Sequence, residues 1–172
     1  MEVARAFERG DVSSLSAAVD ERYADPLGDA RSLRADLERL VRAFSERRMH
    51  LTELSTTVGS RGDVVTGRME LELVGSSTSG PRSYRVLGPA RVEVSRSRPA
   101  LVGGFLVELR DVDLMFQGEL ESLRPIDRAR VEWFLGDERR VALDVWTQNG
   151  VRRFTLLRVA GRLRVERESG RR

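Results

Sequence analysis

Residues 29–58 read DARSLRADLERLVRAFSERRMHLTELSTTV, and within this stretch the hydrophobic pattern changes its period. The first half places apolar side chains on one face of a helix, at Leu33, Leu37, Leu40, Val41 and Phe44. After His50 the period drops to two, with Thr52, Leu54, Thr56 and Val58 at the alternate positions. The pattern therefore predicts a long amphipathic helix that leads directly into a β-strand.

Two shorter helices are predicted upstream of this stretch. Val3 and Phe7 share one face of the first helix, which ends at Gly10, and Asp11 is a good N-cap for the second. Residues 25–28, Asp-Pro-Leu-Gly, have the composition of a tight turn, because aspartate favours its first position and proline its second. Three helices are thus expected before the first long strand.

The chain then alternates through three further strands. A strand ends near Leu73, and a long strand from Tyr84 to Val94 contains Gly88-Pro89, which predicts a bulge. A fourth strand is expected over Leu101 to Leu109. Three helices followed by a four-stranded antiparallel meander predict an α+β fold, in which a curved sheet wraps around the long helix.

Residues 111–172 repeat part of this order of elements, a helix followed by four strands. A helical stripe comes first, at Val112, Phe116, Leu120 and Leu123. Asn149-Gly150 is a strong hairpin signal between later strands, and Ile126 to Leu135 is interpreted as a strand, with a helix as the alternative. We therefore divide the chain into residues 1–110 and a half-repeat, 111–172, which packs on the first domain. The protein is then either an intramolecular pseudo-dimer or a dimer.

The composition excludes several kinds of chemistry. The chain has no cysteine, which excludes disulfides, thiolate metal sites and thiol catalysis. All 30 basic residues are arginine, as is typical of a GC-rich bacterial genome, so Schiff-base lysines are excluded. His50 is the single histidine, and neither a metal nor a cofactor is expected. The first residues lack the apolar core of a signal peptide, which predicts a cytoplasmic protein with no membrane span.

Charge is distributed unevenly along the chain. The formal net charge is +3, but residues 148–172 contain eight arginines and only two acids. Such a segment can bind nucleic acid or anionic lipid, although a solvated strand face is the simpler interpretation. The acidic pairs Glu70/Glu72 and Asp111/Asp113 are interpreted in the same way, as solvated outward faces of strands.

Three features together resemble the nuclear transport factor 2-like superfamily, and within it the ketosteroid isomerase-like branch. They are Glu8-Arg9-Gly10-Asp11, Tyr23-Ala24-Asp25-Pro26-Leu27-Gly28 and the long amphipathic helix before the sheet. The resemblance covers about residues 3–110. It implies a cone, in which N-terminal helices pack on a strongly curved antiparallel sheet and enclose a pocket.

The resemblance also implies candidate site residues. In ketosteroid isomerases an Asp-Pro-Val-Gly segment carries the general base, and Asp25 lies in the similar segment of this chain. The oxyanion-hole positions correspond to Val3 and Arg91, so both acidic donors of those isomerases are replaced. Asp25 is therefore a weak catalytic candidate. The expected pocket lining is Tyr23, Asp25, Met69, Tyr84, Arg91 and Phe105.

Trp133 and Trp146 lie on predicted strand faces of the second half and are expected to anchor its interface with the first. These features favour a noncatalytic module that binds a small hydrophobic molecule or a protein partner. Two alternatives stay open. One is an isomerase, dehydratase or cyclase that uses Asp25, and the other is an anion-binding module that uses the C-terminal arginines.

Overall fold

The computed structural model describes residues 2–75, 80–134 and 136–171, and its helices precede most of its strands. The first elements are α1 (Glu2–Arg9), α2 (Val12–Ala17), a short hairpin of β1 (Ala24–Asp25) and β2 (Gly28–Asp29), and α3 (Ala30–Ala43). The three predicted N-terminal helices are therefore present. In the described part of the chain, every helix is too short or too polar to span a bilayer.

The predicted helix caps form as the sequence indicates. The Asp11 carboxylate accepts a hydrogen bond from the Ser14 amide at 3.0 Å, and Asp29 accepts one from the Ser32 amide at 2.9 Å. The apolar stripe of α3 is buried against the sheet. Burial of this stripe, more than intrinsic helix propensity, holds a helix of this length in place.

The remaining elements form one large sheet and a fourth helix. They are β3 (Glu46–Val58), β4 (Asp63–Val74), β5 (Ser83–Val94), β6 (Leu101–Gly103), α4 (Val107–Gln117), a 3₁₀ turn (Glu121–Leu123), β7 (Ile126–Phe134), β8 (Asp137–Thr147), β9 (Gly150–Val159) and β10 (Arg162–Arg171). The strand order is β10-β9-β8-β7-β5-β4-β3, and β6 pairs with β5. Neighbouring strands are antiparallel, except that β5 and β7 are parallel. The α+β prediction is confirmed.

Two local predictions are wrong. The strand expected over Leu101 to Leu109 ends at Gly103, because Gly104 (φ +76°) and Leu106 (φ +52°) turn the chain into α4. The bulge expected at Gly88-Pro89 is absent, since β5 pairs with β4 in unbroken register there.

A bulge lies instead in β3, between Thr52 and Ser55. It lies opposite Gly67, where a Cβ atom would come within 2.7 Å of the Leu54 side chain and 2.8 Å of the Thr52 carbonyl oxygen. The missing side chain of Gly67 therefore makes room for the extra residue of β3. The consequence is a change of register halfway along the strand.

The second half of the chain continues the first sheet along its edge. Residues 126–134 form strand β7, as predicted, and β7 pairs with Ser83–Leu87 of β5. The boundary predicted between residues 110 and 111 falls inside α4, and one hydrophobic cluster includes Leu71 of the first half and Leu143 of the second. The two halves therefore share a core.

Trp133 packs at the junction of the two halves. Its side chain is half-buried against the core, and a Cβ atom at Gly88 of β5 would overlap its indole ring. The glycine thus allows the ring to lie directly on the β5 backbone. This close approach occurs just beyond the last paired residues of β5 and β7.

We predict that Gly88→Ala lowers the free energy of unfolding by about 1–3 kcal/mol, the usual cost of overpacking. In a Trp133→Leu background the same substitution should cost at least 1 kcal/mol less, because the ring is gone. Urea unfolding of the four proteins in this double-mutant cycle measures the coupling. Equal costs in both backgrounds would show that the ring does not restrict residue 88.

Candidate functional site

The Asp25 carboxylate lies at the centre of a buried hydrogen-bond network. Its Oδ1 atom accepts from the amides of Leu27 at 2.7 Å and Gly28 at 3.1 Å. Its Oδ2 atom accepts from the Tyr23 hydroxyl at 2.5 Å and from Arg110 Nη1 at 2.6 Å. The Asp25 side chain is 1% exposed. Four donors therefore surround a carboxylate that is closed to solvent.

Arg110 joins this turn to α3. Its side chain is 0% exposed, and its Nε atom donates to Asp36 Oδ2 at 2.8 Å. Arg39 of α3 extends the network, since it donates both to Asp36 at 3.4 Å and to Asp113 of α4. A buried guanidinium is tolerated only when carboxylates compensate its charge, so α4 and α3 can pack here only with Asp25 and Asp36 in place.

Tyr23 closes the network on its other side. Its hydroxyl donates to Asp25 and accepts from the Phe105 amide at 3.0 Å. Burial, together with the hydrogen bond to Asp25, raises the pKa of Tyr23 well above its usual range. Burial likewise raises the pKa of Asp113, although the charge of Arg39 opposes this shift.

This arrangement does not suit proton transfer. A general base needs a lone pair that a substrate can reach, and the oxygens of Asp25 already accept from four donors. The geometry is that of a structural anchor, which fixes the hairpin to α4.

The other predicted lining residues separate into two places. Met69 and Phe105 lie at a cleft of about 20 Å³ that Arg91 also borders. This volume holds about one water molecule and no organic ligand. Tyr84 lies elsewhere, fully buried in edge contacts with Phe44 and Phe116, with its hydroxyl unpartnered in the described residues.

The two tryptophans lie on opposite faces of the sheet. Trp133 shares the core face with Val131, whereas Trp146 lies on the outer face under the Arg128 guanidinium, 4.0 Å from its ring centre. Trp133 therefore contacts the first half and Trp146 contacts a neighbouring strand. His50 is exposed on β3.

The C-terminal arginines form ion pairs. On the last strands, Arg152 pairs with Glu168 and Arg153 pairs with Asp144. Arg158 pairs with Glu108 and Arg162 pairs with Asp111, and all four nitrogen–oxygen distances are 2.5–2.9 Å. Arg158 and Arg162 thereby connect the last strands to α4. Their guanidinium groups contribute to internal packing and leave less positive charge free for an anion.

One prediction about the acidic pairs is wrong. Glu70 and Glu72 are exposed as expected, but Asp111 and Asp113 are buried, at 0% and 2% exposure. They lie on α4 instead of a strand, and Asp111 accepts from Arg162 at 2.9 Å and from the Leu163 amide at 2.7 Å. A helix is predicted from Val112 onward, but α4 begins at Val107, and the interpretation of residues 101–109 as a strand extended the strand assignment to these two acids.

A larger opening lies outside this network, between the N-terminal helices and one end of the sheet. It has a volume of about 700 Å³, compared with about 260 Å³ for a cleft beside Pro125. We call it the α1–α2 groove. Its apolar lining consists of Val3, Ala6, Ala17, Ala18, Val65, Val94, Pro99, Ala100 and Leu101. Its polar rim consists of Glu2, Arg9, Ser14, Ser95, Arg96, Ser97 and Arg98.

Hydrogen bonds hold the far wall of this groove, residues 94–101, in place. The Leu101 amide donates to the Ala18 carbonyl at 2.7 Å, which ties β6 to the end of α2. Asp20 accepts from Arg98 at 3.2 Å and from Arg22, and these hydrogen bonds lower the pKa of Asp20. The Ser95 amide donates to the Ala100 carbonyl at 2.8 Å. The groove is therefore built from ordered segments.

Among the groove residues, the sequence assigned only Val3 to a site position, as the counterpart of an oxyanion-hole donor. The available signal is weak: Val3, Ala6 and the pair Ala17-Ala18 are small apolar side chains on short helices. Arg110 was missed for a clearer reason, since it follows directly after the segment interpreted as a strand. With α4 recognised, Arg110 among the buried, mostly apolar residues of this helix would have indicated a buried ion pair.

The similarity of the chain to known proteins lies in its structure. No family model matches it, and no curated protein matches it in sequence. Among solved structures it is similar to a proposed aromatic ring hydroxylase from Novosphingobium aromaticivorans, with 17% identity and a TM-score of 0.49, over 58% of this chain and 76% of the other.

Two further similar structures carry superfamily or activity names. A proposed dehydratase of the NTF2-like family from Streptomyces avermitilis is 14% identical, with a TM-score of 0.46, over 58% of this chain and 83% of that one. A proposed polyketide cyclase from Xanthomonas campestris is 18% identical, with a TM-score of 0.39, over 59% of this chain and 80% of the other. With TM-scores below 0.5 and identities below 20%, these likenesses carry no conclusion about activity.

We predict that Asp25→Asn lowers the free energy of unfolding by about 3 kcal/mol, because it leaves the buried Arg110 without one of its two carboxylates. At this chain length the melting temperature should fall by about 6–12 °C. Asp29→Asn is the matched control, since Asp29 is an exposed N-cap and asparagine caps a helix equally well. A loss no larger than that of the control would contradict an anchoring role for Asp25.

Both tyrosines should resist ionisation in the folded protein. Burial raises the pKa of Tyr23 and of Tyr84, so the unfolded chain loses these protons first and stability falls as the pH rises above about 10. In a titration monitored at 295 nm, tyrosinate absorbance should appear only together with the loss of near-ultraviolet circular dichroism. Absorbance that rises near pH 10 while the fold is intact would contradict the burial of these hydroxyls.

Proposed function

We propose that this chain is a noncatalytic binding module of nuclear transport factor 2-like fold that holds a small hydrophobic ligand in the α1–α2 groove. The observation that carries the proposal is the size and lining of this groove. Its volume of about 700 Å³ lies within the usual range of small-molecule sites, about 300–1,000 Å³. An apolar lining with a rim of serine and arginine side chains is also typical of such sites.

The apolar floor supplies the driving force for binding. A ligand that covers Val3, Val65, Val94 and the neighbouring alanines removes their surface from water, at about 25 cal/mol per Å². The wall at residues 94–101 is already hydrogen-bonded, so the ligand does not have to order it. Both features favour a small, largely apolar molecule over a charged one.

The state of Asp25 supports the noncatalytic part of the proposal. A catalytic carboxylate would need access to a substrate, whereas Asp25 is 1% exposed and accepts from four donors. It also lies outside the set of residues that line the groove. Turnover of β,γ-unsaturated ketones or hydroxyacyl substrates that disappears in Asp25→Asn would overturn this part of the proposal.

The binding site can be tested with the neutral apolar fluorophore N-phenyl-1-naphthylamine. We expect saturable fluorescence enhancement with the wild-type protein, and at least about tenfold weaker binding to Ala17→Trp, because the indole fills the groove from the α2 side. Ala35→Trp is the matched control: Ala35 is likewise an exposed helical alanine, but on α3 and outside the groove.

The control separates loss of the site from a general effect of a new tryptophan. Melting temperatures of both variants within about 2 °C of the wild-type value would show that the fold is retained. Equal fluorophore affinity in Ala17→Trp and Ala35→Trp would place the bound fluorophore elsewhere and refute the groove as the site.

A further inference from the structure

The two edges of the sheet are protected to different degrees. An edge strand exposes unpaired amide and carbonyl groups, which proteins usually protect with charges, bulges or a covering element. The β10 edge has the first two protections: charged side chains, at Arg162, Arg164, Glu166, Arg167 and Glu168, and two breaks in register. The edge formed by β10 is therefore unsuited to pairing with another strand.

The β3 edge is covered over its first part only. Glu8 of α1 accepts a hydrogen bond from the Met49 amide at 2.8 Å, and the Arg47 Nε atom donates to the Phe7 carbonyl at 2.8 Å. These contacts keep α1 against the beginning of β3. Leu54 lies in the bulge and residues 55–58 follow it, and all five residues of this segment, Leu-Ser-Thr-Thr-Val, are exposed. This end of the edge has neither a charged residue nor a covering helix.

The hairpin register shows which backbone groups face outward. Gly59 donates to the Gly62 carbonyl at 2.7 Å, so the opposed residues 59 and 62 form a hydrogen-bonded pair. Bonded and non-bonded pairs alternate along an antiparallel ladder. The pairs Thr56–Val65 and Val58–Asp63 are therefore not hydrogen-bonded to each other. The amide and carbonyl groups of Thr56 and Val58 point away from β4 and are free to pair with another strand.

We propose that residues 54–58 of β3 pair antiparallel with the same residues of a second copy of this chain, which joins two sheets edge to edge. The segment is complementary to itself. Centred on Thr56, the pairing places Val58 of one copy opposite Leu54 of the other, and these two side chains are 80% and 53% exposed in the single chain. Such apolar cross-strand pairs stabilise a sheet, and the absence of charge in the segment leaves no like-charge repulsion between the copies.

The mass of the protein tests this interface directly. Light scattering after size-exclusion chromatography should give twice the 19.4 kDa of one chain for the wild type. Thr56→Lys and Thr56→Glu each place like charges opposite one another across the twofold axis, so each variant should be monomeric. An equimolar mixture of the two should recover the double mass, because the charges are then opposite.

Ser169→Lys, on the β10 edge, is the matched control and should keep the double mass. Thr56→Pro provides a second disruption: it removes only an amide that points away from β4, so circular dichroism should stay unchanged while the dimer is lost. Amide exchange at Thr56 and Val58 should slow as protein concentration rises. A monomeric wild type, or the double mass retained in both charge variants, would overturn the proposal.

Discussion

The buried guanidinium of Arg110 is the constraint on which the rest of the packing depends. A cation that is 0% exposed must find its compensation inside the protein, and it does so from Asp25 in the β1–β2 hairpin and Asp36 in α3. These three segments are far apart in the sequence. The joint burial of these three side chains fixes α4 against the N-terminal segments. Because α4 leads into β7, its position also places β7 beside β5.

The parallel pairing of β5 with β7 follows from that placement. A parallel neighbour requires a crossover connection, which β6 and α4 provide between the two strands. Trp133 then packs on the backbone of β5 at Gly88, and Arg158 and Arg162 pair with acids of α4. The last four strands are therefore joined to the first half by backbone pairing, aromatic packing and partly buried ion pairs.

The same constraint separates the anchoring network from the candidate ligand site. Because Asp25 and Tyr23 are used to compensate and to cover Arg110, the position that resembles a catalytic one is filled by the protein's own side chains. The open volume lies instead beyond α1 and α2, where small side chains such as Ala6 and Ala17 leave space that larger ones would fill. The buried network and the open groove are thus formed by separate sets of residues.

Periodicity and turn chemistry determined much of the local structure: the three N-terminal helices, the caps at Asp11 and Asp29 and the strand over residues 126–134 follow from neighbouring residues. The hairpin expected at Asn149-Gly150 also forms, but its two turn residues are Gln148 and Asn149, one position earlier. These features depend on contacts within a few positions of the chain, which a single sequence displays. Tertiary structure alone decided that β7 lies beside β5, that Asp111 and Asp113 are buried, and that Asp25 faces Arg110 across 85 residues of sequence. The energy of a buried charge depends on which distant partners compensate it, and this is set only when the whole chain has packed.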